Sequence, residues 1–326
     1  MIRFLFWVLP FFLALPTAAF GQCCSGGVPI SSNLGLVGKE KGTLQVQFTY
    51  DGNFLRDEYS GRELQNDFQR DRNRTTQSLL AELSYDISAR LSASALLTSV
   101  IQSREIVDEN LGSRTFVQNA GIGDAILLLK YRLYGQQADQ TSQVVLGAGP
   151  KLPLGRTDFR DNVGILLPMD LQPGTGALDW IFWGHFTQTE LIRKSTQLTA
   201  ILTYRLPGTS THNALQLPYD FGREFQAQLG ISDRFLLGSL ILDPGLMTKF
   251  RTVGADQLDG AIFPNTGGTQ LFVSPFVSTV FSPYTSLRLA ADLPVYTFME
   301  GRQVATSFRL SASLYINLSR PKSLSL

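Results

Sequence analysis

Residues Gly121 to Tyr134 read GIGDAILLLKYRLY, and their pattern indicates the fold class of the chain. After the Gly-x-Gly turn the residues alternate with a period of two, which is the side-chain period of a β-strand. One face is apolar throughout and consists of Ala125, Leu127, Leu129, Tyr131 and Leu133. The opposite face mixes aliphatic residues with charges and consists of Ile126, Leu128, Lys130, Arg132 and Tyr134. Faces of such different polarity predict a strand with lipid on one side and a polar interior on the other.

The same alternation recurs between residues 42 and 318. Tight turns follow the even-numbered predicted strands, and long polar segments such as Asp51 to Thr75 and Gln102 to Asn119 follow odd-numbered ones. Alternation of short turns and long loops is typical of outer-membrane barrels. We therefore predict an all-β protein, a transmembrane antiparallel up-and-down β-barrel of about twelve strands, with ten to fourteen compatible with the pattern.

Two other classes of protein fit the sequence less well. A soluble β-sandwich or lipocalin-like barrel also has alternating strands, but its apolar faces turn inward. Here they alternate with charges such as Lys130, Arg132, Arg205 and Arg309, and the long polar segments recur at one end. A helical membrane protein would need runs of about 20 apolar residues, and none follows Phe20.

The N-terminus has the pattern of a secretory signal peptide. Arg3 supplies the positive charge, Phe4 to Leu15 the apolar region, and Ala19-Phe20-Gly21 the cleavage site. We expect export and cleavage, and an N-terminal membrane anchor is the alternative. The predicted organisation is a signal peptide over 1–21, a short periplasmic N-terminal segment over 22–41, the barrel over 42–318 and a C-terminal tail over 319–326.

Cys23 and Cys24 are the only cysteines of the chain. Lipidation of Cys23 is disfavoured, because Gln22 occupies a position where a lipoprotein signal has a small residue. Two neighbouring thiols do not make a metal-ligand set. A vicinal disulfide, an intermolecular bridge and a flexible tail remain open.

Residues with catalytic chemistry are few, because the chain has two histidines, His185 and His212. An outer-membrane lipase needs a histidine and a serine together at the lipid-facing surface, whereas strand parity places His185 inside, beside Trp183. We therefore predict a protein that is not an enzyme and has no cofactor or metal. The side chains predicted to line the lumen are Glu82, Lys130, Arg132, Asp179, His185, Arg205, Glu224, Arg288 and Arg309. These side chains either line a polar lumen through which solutes pass, or they pair across the lumen and close it.

Three segments carry a resemblance to a known family. They are residues 121–133, GIGDAILLLKYRL; residues 147–158, GAGPKLPLGRTD; and residues 171–188, LQPGTGALDWIFWGHFTQ. In these motifs and their order the chain resembles the MetA-pathway phenol-degradation family, which is distantly similar to the fatty-acid and aromatic-hydrocarbon channels. The resemblance implies a Gram-negative outer-membrane barrel for uptake of hydrophobic or aromatic compounds. The N-terminal plug domain of the fatty-acid channels has no counterpart in Gln22 to Lys41, and we expect no gated, high-affinity mechanism of that kind.

From these observations we expect an outer-membrane channel that passes small solutes, hydrophobic or aromatic ones included, by facilitated diffusion. Its partners would be the lipid bilayer and the solute. The balance of 28 basic and 27 acidic residues gives no reason to expect nucleic acid. The alternative is a structural or adhesive barrel with a closed lumen, whose outer loops, above all Asp51 to Thr75, bind partners.

Overall fold

The structure is a computed structural model, and it describes residues 41–65, 70–108, 112–135, 140–161, 164–213, 215–238 and 240–318. The predicted signal peptide, Cys23, Cys24 and the predicted tail over 319–326 lie outside the described residues, as does the N-terminal segment except for Lys41. Within the described part of the chain, none of the helices has the length and apolarity that a membrane span requires.

The described chain is almost entirely β-structure. In chain order the strands are β1 Leu44–Gly61, β2 Glu63–Leu64, β3 Arg70–Asp86, β4 Leu91–Asp108, β5 Ser113–Ile122, β6 Ala125–Tyr134, β7 Ser142–Leu152, β8 Asp179–Thr189, β9 Gln197–Leu206, β10 Thr209–Ser210, β11 Tyr219–Asp220, β12 Glu224–Ser232, β13 Phe235–Leu237, β14 Leu240–Val253, β15 Gln257–Leu258, β16 Ala261–Ile262, β17 Gly268–Ser282 and β18 Thr285–Asn317. One 3₁₀ turn, Met169–Leu171, lies between β7 and β8.

The long strands close into a ring. Their order is β12, β9, β8, β7, β6, β4, β3, β1, β18, β17 and β14, and the pairing of β14 with β12 completes the circle. All of these pairings are antiparallel, and β5 extends β6 by pairing with the upper half of β4. A closed antiparallel barrel leaves no unpaired sheet edge, as a span through lipid requires.

The final strand, β18, reverses direction within its length. Its residues 285–299 pair antiparallel with β17, and its residues 299–317 pair antiparallel with β1. The other ten strands of the ring alternate in direction, so β1 and β17, the two neighbours of β18, run in opposite directions. A single straight strand could not be antiparallel to both of them. The reversal lies next to Gly301, whose φ of 68° suits glycine. The ring therefore contains twelve antiparallel runs, and the predicted fold is confirmed.

Side-chain exposure follows the predicted parity. On β6, Leu127, Leu129, Tyr131 and Leu133 are between 41% and 55% exposed. On the opposite face Ile126, Leu128, Lys130 and Arg132 are buried, and only Tyr134 at the end of the strand is exposed. The apolar face therefore points out of the barrel. Ala125 is predicted to contact lipid and is instead buried. It follows the interruption at Gly123-Asp124, where Pro173 of the next long connection approaches Gly123. Exposed apolar side chains on other strands include Phe48, Leu83, Leu97, Leu146, Phe182, Leu202, Leu229, Leu289 and Leu310.

The prediction of long loops over Asp51–Thr75 and Gln102–Asn119 is wrong. Strands β1 and β3 continue as a hairpin beyond the belt of exposed apolar residues, and so do β4 and β5. These extensions lack apolar alternation because neither of their faces needs to meet lipid. The irregular segment at Asp243-Pro244-Gly245 also belongs to a strand, β14, and keeps its register with β17.

Three long connections remain at one end of the barrel, over residues 153–178, 207–223 and 254–267. Short links such as 87–90 and 283–284 connect the strands at the other end. A small four-stranded sheet, formed by β10, β11, β15 and β16, joins the second and third connections. The long connections therefore gather over one mouth of the lumen, as the sequence predicts.

Candidate functional site: the barrel lumen and its loop cap

A row of alternating charges, which we call the charge ladder, crosses the inner wall near the mouth. Its members, in order around the barrel, are Asp124, Lys151, Asp179, Arg205, Glu224 and Arg251. Neighbouring members lie 2.5, 2.9, 3.7, 3.5 and 2.7 Å apart, measured from carboxylate oxygen to basic nitrogen. Each successive strand of the wall from β7 to β14 contributes one member. The ladder neutralises charges that burial would otherwise disfavour.

Deeper in the lumen, Lys130 and Glu82 form a buried ion pair of 2.8 Å. The Lys130 ammonium also lies 5.5 Å from the ring centroid of Trp183, which stacks on His185. Arg132 lies further down and donates a hydrogen bond of 3.1 Å to the carbonyl of Ala89. The wall around the Lys130 pair is apolar. Its cluster of buried side chains consists of Leu80, Leu96, Ile126, Leu128, Val145, Ile181, Trp183 and Ile201.

The facing wall carries a second set of charges. Lys249 pairs with Asp292 at 2.6 Å, and Arg309 pairs with Asp51 at 2.8 Å. The Arg288 guanidinium stacks over the ring of Phe276, with 3.7 Å between its central carbon and the ring centroid. Basic groups on this wall are thus held by carboxylates or by an aromatic face.

Seven of the nine residues proposed from the sequence are buried, Arg288 and Arg309 are partly exposed, and the nine do not form one cluster. Asp179, Arg205 and Glu224 belong to the charge ladder, whereas Lys130 pairs with Glu82 below it. Sequence reasoning missed the ladder residues Asp124, Lys151 and Arg251, together with Asp51 and Lys249 on the facing wall. Strand parity could have found Lys151, which shares a face with Val145, but Pro150 and Pro153 obscured the strand.

The three motifs that carry the family resemblance meet at one point in space. The carboxylate of Asp124 accepts hydrogen bonds from the backbone nitrogens of Gly155 and Thr175, each at 3.1 Å, and from the Thr175 hydroxyl at 2.7 Å. Gly155 and Gly174 touch through their backbones, since a Cβ on Gly155 would lie 2.5 Å from the Gly174 Cα. We call this unit the Asp124 latch.

The latch holds the connection over 153–178 against the mouth, and we call that connection the loop cap. Its residues Leu171 and Gln172 are buried. The Gln172 amide donates to the carbonyls of Phe159 and Leu167, both at 3.0 Å. Arg74 of β3 pairs with Asp170 at 2.8 Å. The loop cap is therefore fixed both to the ladder and to the opposite hairpin.

An apolar pocket of about 350 Å³ lies between the three long connections. Tyr219 and Asp256 stand in its wall, and the Tyr219 hydroxyl donates a 2.5 Å hydrogen bond to the Asp256 carboxylate. Burial raises the pKa of both groups, that of Asp256 to about 6. The apolar residues that line the pocket are Leu166, Leu167, Pro168, Met169, Leu215, Leu258, Phe263 and Pro264.

Comparison with known proteins supports the fold. No family model and no curated protein matches the sequence. An outer membrane channel from Pseudomonas putida F1 has a TM-score of 0.60 at 14% identity, over 89% of this chain and 100% of that chain. Two other solved structures are less similar. The β-domain of a Bordetella autotransporter has a TM-score of 0.47 at 10% identity, over 85% of this chain and 100% of that chain. A FadL homologue from Pseudomonas aeruginosa has a TM-score of 0.40 at 12% identity, over 93% of this chain and 100% of that chain. The first comparison shows a shared transmembrane-barrel fold, while membership of the phenol-degradation family stays a prediction.

Proposed function

We propose that this protein is an outer-membrane channel that lets small solutes, aromatic and other apolar compounds included, diffuse across the bilayer. The observation that carries this proposal is the loop cap, which joins an apolar pocket to a charge-lined lumen. Met169 of the cap lines the pocket, and Thr175 of the same cap accepts a 2.5 Å hydrogen bond from Lys151 of the ladder. The loop cap therefore borders both the pocket and the charged inner wall, and a solute path from one to the other is part of the proposal. The sequence-based boundaries, including the signal peptide over 1–21 and the nine lumen-lining residues, are part of this proposal.

The polar lumen supports passage in preference to a purely structural barrel. A barrel that serves only as an anchor can fill its interior with apolar side chains, as small barrels do. Here the described inner wall keeps the charge ladder and three further ion pairs, Lys130–Glu82, Lys249–Asp292 and Arg309–Asp51. Charges retained in a low-dielectric interior are a mark of solute pathways in membrane proteins.

The proposal is tested with purified protein in liposomes. Outer-membrane location and folding are checked first, by heat-modifiable mobility of the outer-membrane fraction on gels. Swelling is then measured in phenyl glucoside and in maltose, which differ in whether the glucose carries a phenyl group or a second sugar. We expect swelling in both solutes and faster swelling in phenyl glucoside. A folded barrel with neither swelling nor conductance would instead favour the structural or adhesive alternative.

A further inference from the structure

Four arginines surround a second cavity at the same mouth. The cavity has a volume of about 380 Å³, within the range of roughly 300–1,000 Å³ typical of ligand pockets. Arg72 and Arg74 come from β3, Arg104 from β4 and Arg302 from the last part of β18. We call this set the arginine site. A concentration of guanidinium groups in a pocket indicates recognition of an anion.

The strand register makes this arrangement unfavourable in the absence of an anion. Arg74 and Arg104 are direct cross-strand partners. Like charges placed directly opposite each other on a sheet are destabilising. Arg72 lies two residues from Arg74 on the same face and adds a third positive charge to the same surface. The barrel fold itself gives no reason for three arginines here, and their grouping favours a role in binding a ligand.

In the part of the chain that the structure describes, the carboxylates that pair with this site are fewer than its arginines. Glu58 is shared by Arg72 and Arg302, at 3.2 and 3.0 Å. Asp170 of the loop cap pairs with Arg74. Among the described residues, Arg104 forms no ion pair, although the nearby Asp170 carboxylate favours its charged form. The buried Nε atom of Arg72 has no hydrogen-bond partner there. Counted over the described residues alone, the four arginines and these two carboxylates carry a formal charge of +2.

The arginine site adjoins the apolar pocket. Asp170 and Asn265 line both cavities, so the two cavities are neighbours, and a ligand that displaces the Asp170 side chain can reach both. The guanidinium of Arg74 already binds one carboxylate, that of Asp170, at 2.8 Å. The site is therefore suited to a carboxylate ligand. Guanidinium and carboxylate match in planarity and can form paired hydrogen bonds.

From this juxtaposition we propose that the arginine site binds the carboxylate of a small organic acid whose apolar body lies in the pocket between the loops. The ligand carboxylate takes the place beside Arg74 that Asp170 now occupies and also contacts Arg104. Because Asp170 belongs to the loop cap, binding weakens one of the contacts that hold the cap in place. This inference rests on the proposed channel for its role in passage, but not for binding itself.

The test is binding of benzoate to the purified, folded protein in detergent at pH 7.5, measured by isothermal titration calorimetry. Benzamide has nearly the same shape and no charge, and inorganic phosphate has charge and no apolar body. We expect benzoate to bind more tightly than either. Arg104→Gln should weaken benzoate binding by about tenfold or more, as the loss of a charged hydrogen bond predicts, and should leave benzamide unchanged.

Arg114→Gln is the matched control, because Arg114 belongs to the same β4–β5 hairpin, is exposed and pairs with Glu105 away from the cavity. It should bind benzoate as the unmodified protein does. Should Arg104→Gln fail to fold, Arg302→Gln tests the same site and leaves Glu58 paired with Arg72.

Three results would overturn the inference: equal affinity for benzoate and benzamide, equal affinity for benzoate and phosphate, or unchanged benzoate binding in folded Arg104→Gln. The channel proposal is judged separately by swelling in phenyl glucoside, a neutral solute. Benzoate binding without swelling would support the arginine site and contradict the channel. Swelling without tighter binding of benzoate than of benzamide or phosphate would support the channel and contradict the arginine site.

Discussion

The carboxylate of Asp124 lies 2.5 Å from the ammonium of Lys151, and both groups are buried beneath the loop cap. Asp124 stands at the interruption between β5 and β6, and Lys151 near the end of β7. Together with Thr175 they connect the strands of the barrel to the loop that covers its mouth. The position of the loop cap therefore depends on a few buried polar contacts.

Asp124→Asn tests the latch. The substitution removes the charge that faces Lys151, which keeps Asp179 as a partner at 2.9 Å. Breaking a buried ion pair typically costs about 3–5 kcal/mol, and we expect the lower end here. Hydrogen exchange over residues 164–178 should become faster, with the strands little changed.

Asp158→Asn is the control for that experiment, because Asp158 lies in the same loop cap with an exposed side chain and pairs only with the exposed Arg156 among the described residues. It should leave exchange unchanged. Equal exchange in Asp124→Asn and the unmodified protein would show that the latch does not hold the cap.

Gly155→Ala tests the backbone contact inside the latch. A Cβ at residue 155 would lie 2.5 Å from the Gly174 Cα, and backbone atoms at that distance cannot move aside cheaply. We expect the variant to insert as a barrel but to show cleavage of the loop cap by added protease. Gly184→Ala in β8 is the comparison, since its Cβ would make an ordinary contact of 3.5 Å with Leu146. Equal protease resistance in the two variants would refute the close packing.

Asp256 should make the stability of the loops depend on pH. Its pKa is raised by burial from 3.8 to about 6, so the folded loops bind a proton more readily than unfolded loops do. The contribution of Asp256 to loop stability is then fully present below about pH 4 and is lost as the pH rises through about 6. Hydrogen exchange over 254–267 between pH 4 and 7, corrected for intrinsic exchange rates, measures this change.

Asp256→Asn should flatten that pH profile, whereas Asp259→Asn, which removes an exposed carboxylate from the same connection, should preserve it. A profile that stays flat in the unmodified protein, or that rises with pH, would contradict the assignment to Asp256.

The Lys130–Glu82 pair should show non-additive energetics. Lys130→Met alone leaves Glu82 facing the apolar cluster and should lower the free energy of unfolding by about 3–5 kcal/mol. Lys130→Met combined with Glu82→Leu replaces both charges by apolar groups and should cost much less. Unfolding in denaturant, followed by gel mobility, gives the values. Additive losses would mean that the pair is not coupled.

The sequence predicted the strands and their faces because lipid and lumen impose opposite polarity on alternate residues. It could not predict the hairpin extension that carries Arg72, since neither face there meets lipid. It also missed the contact of Arg74 with Asp170, which are 96 residues apart and meet only because the loop cap folds over the mouth. The inner face is more apolar around Lys130 than the sequence predicts. The two-residue period shows which side chains share a face of one strand, but it does not show which side chains of different strands lie next to each other.

The decisive experiment for the proposed channel is liposome swelling in phenyl glucoside, with the unmodified protein and Asp124→Asn compared at equal amounts of folded barrel. The channel proposed here predicts that the unmodified protein swells faster in phenyl glucoside than in maltose, and that Asp124→Asn, with its loosened loop cap, swells faster still. Swelling no greater than that of protein-free liposomes, for both proteins and in both solutes, would contradict it.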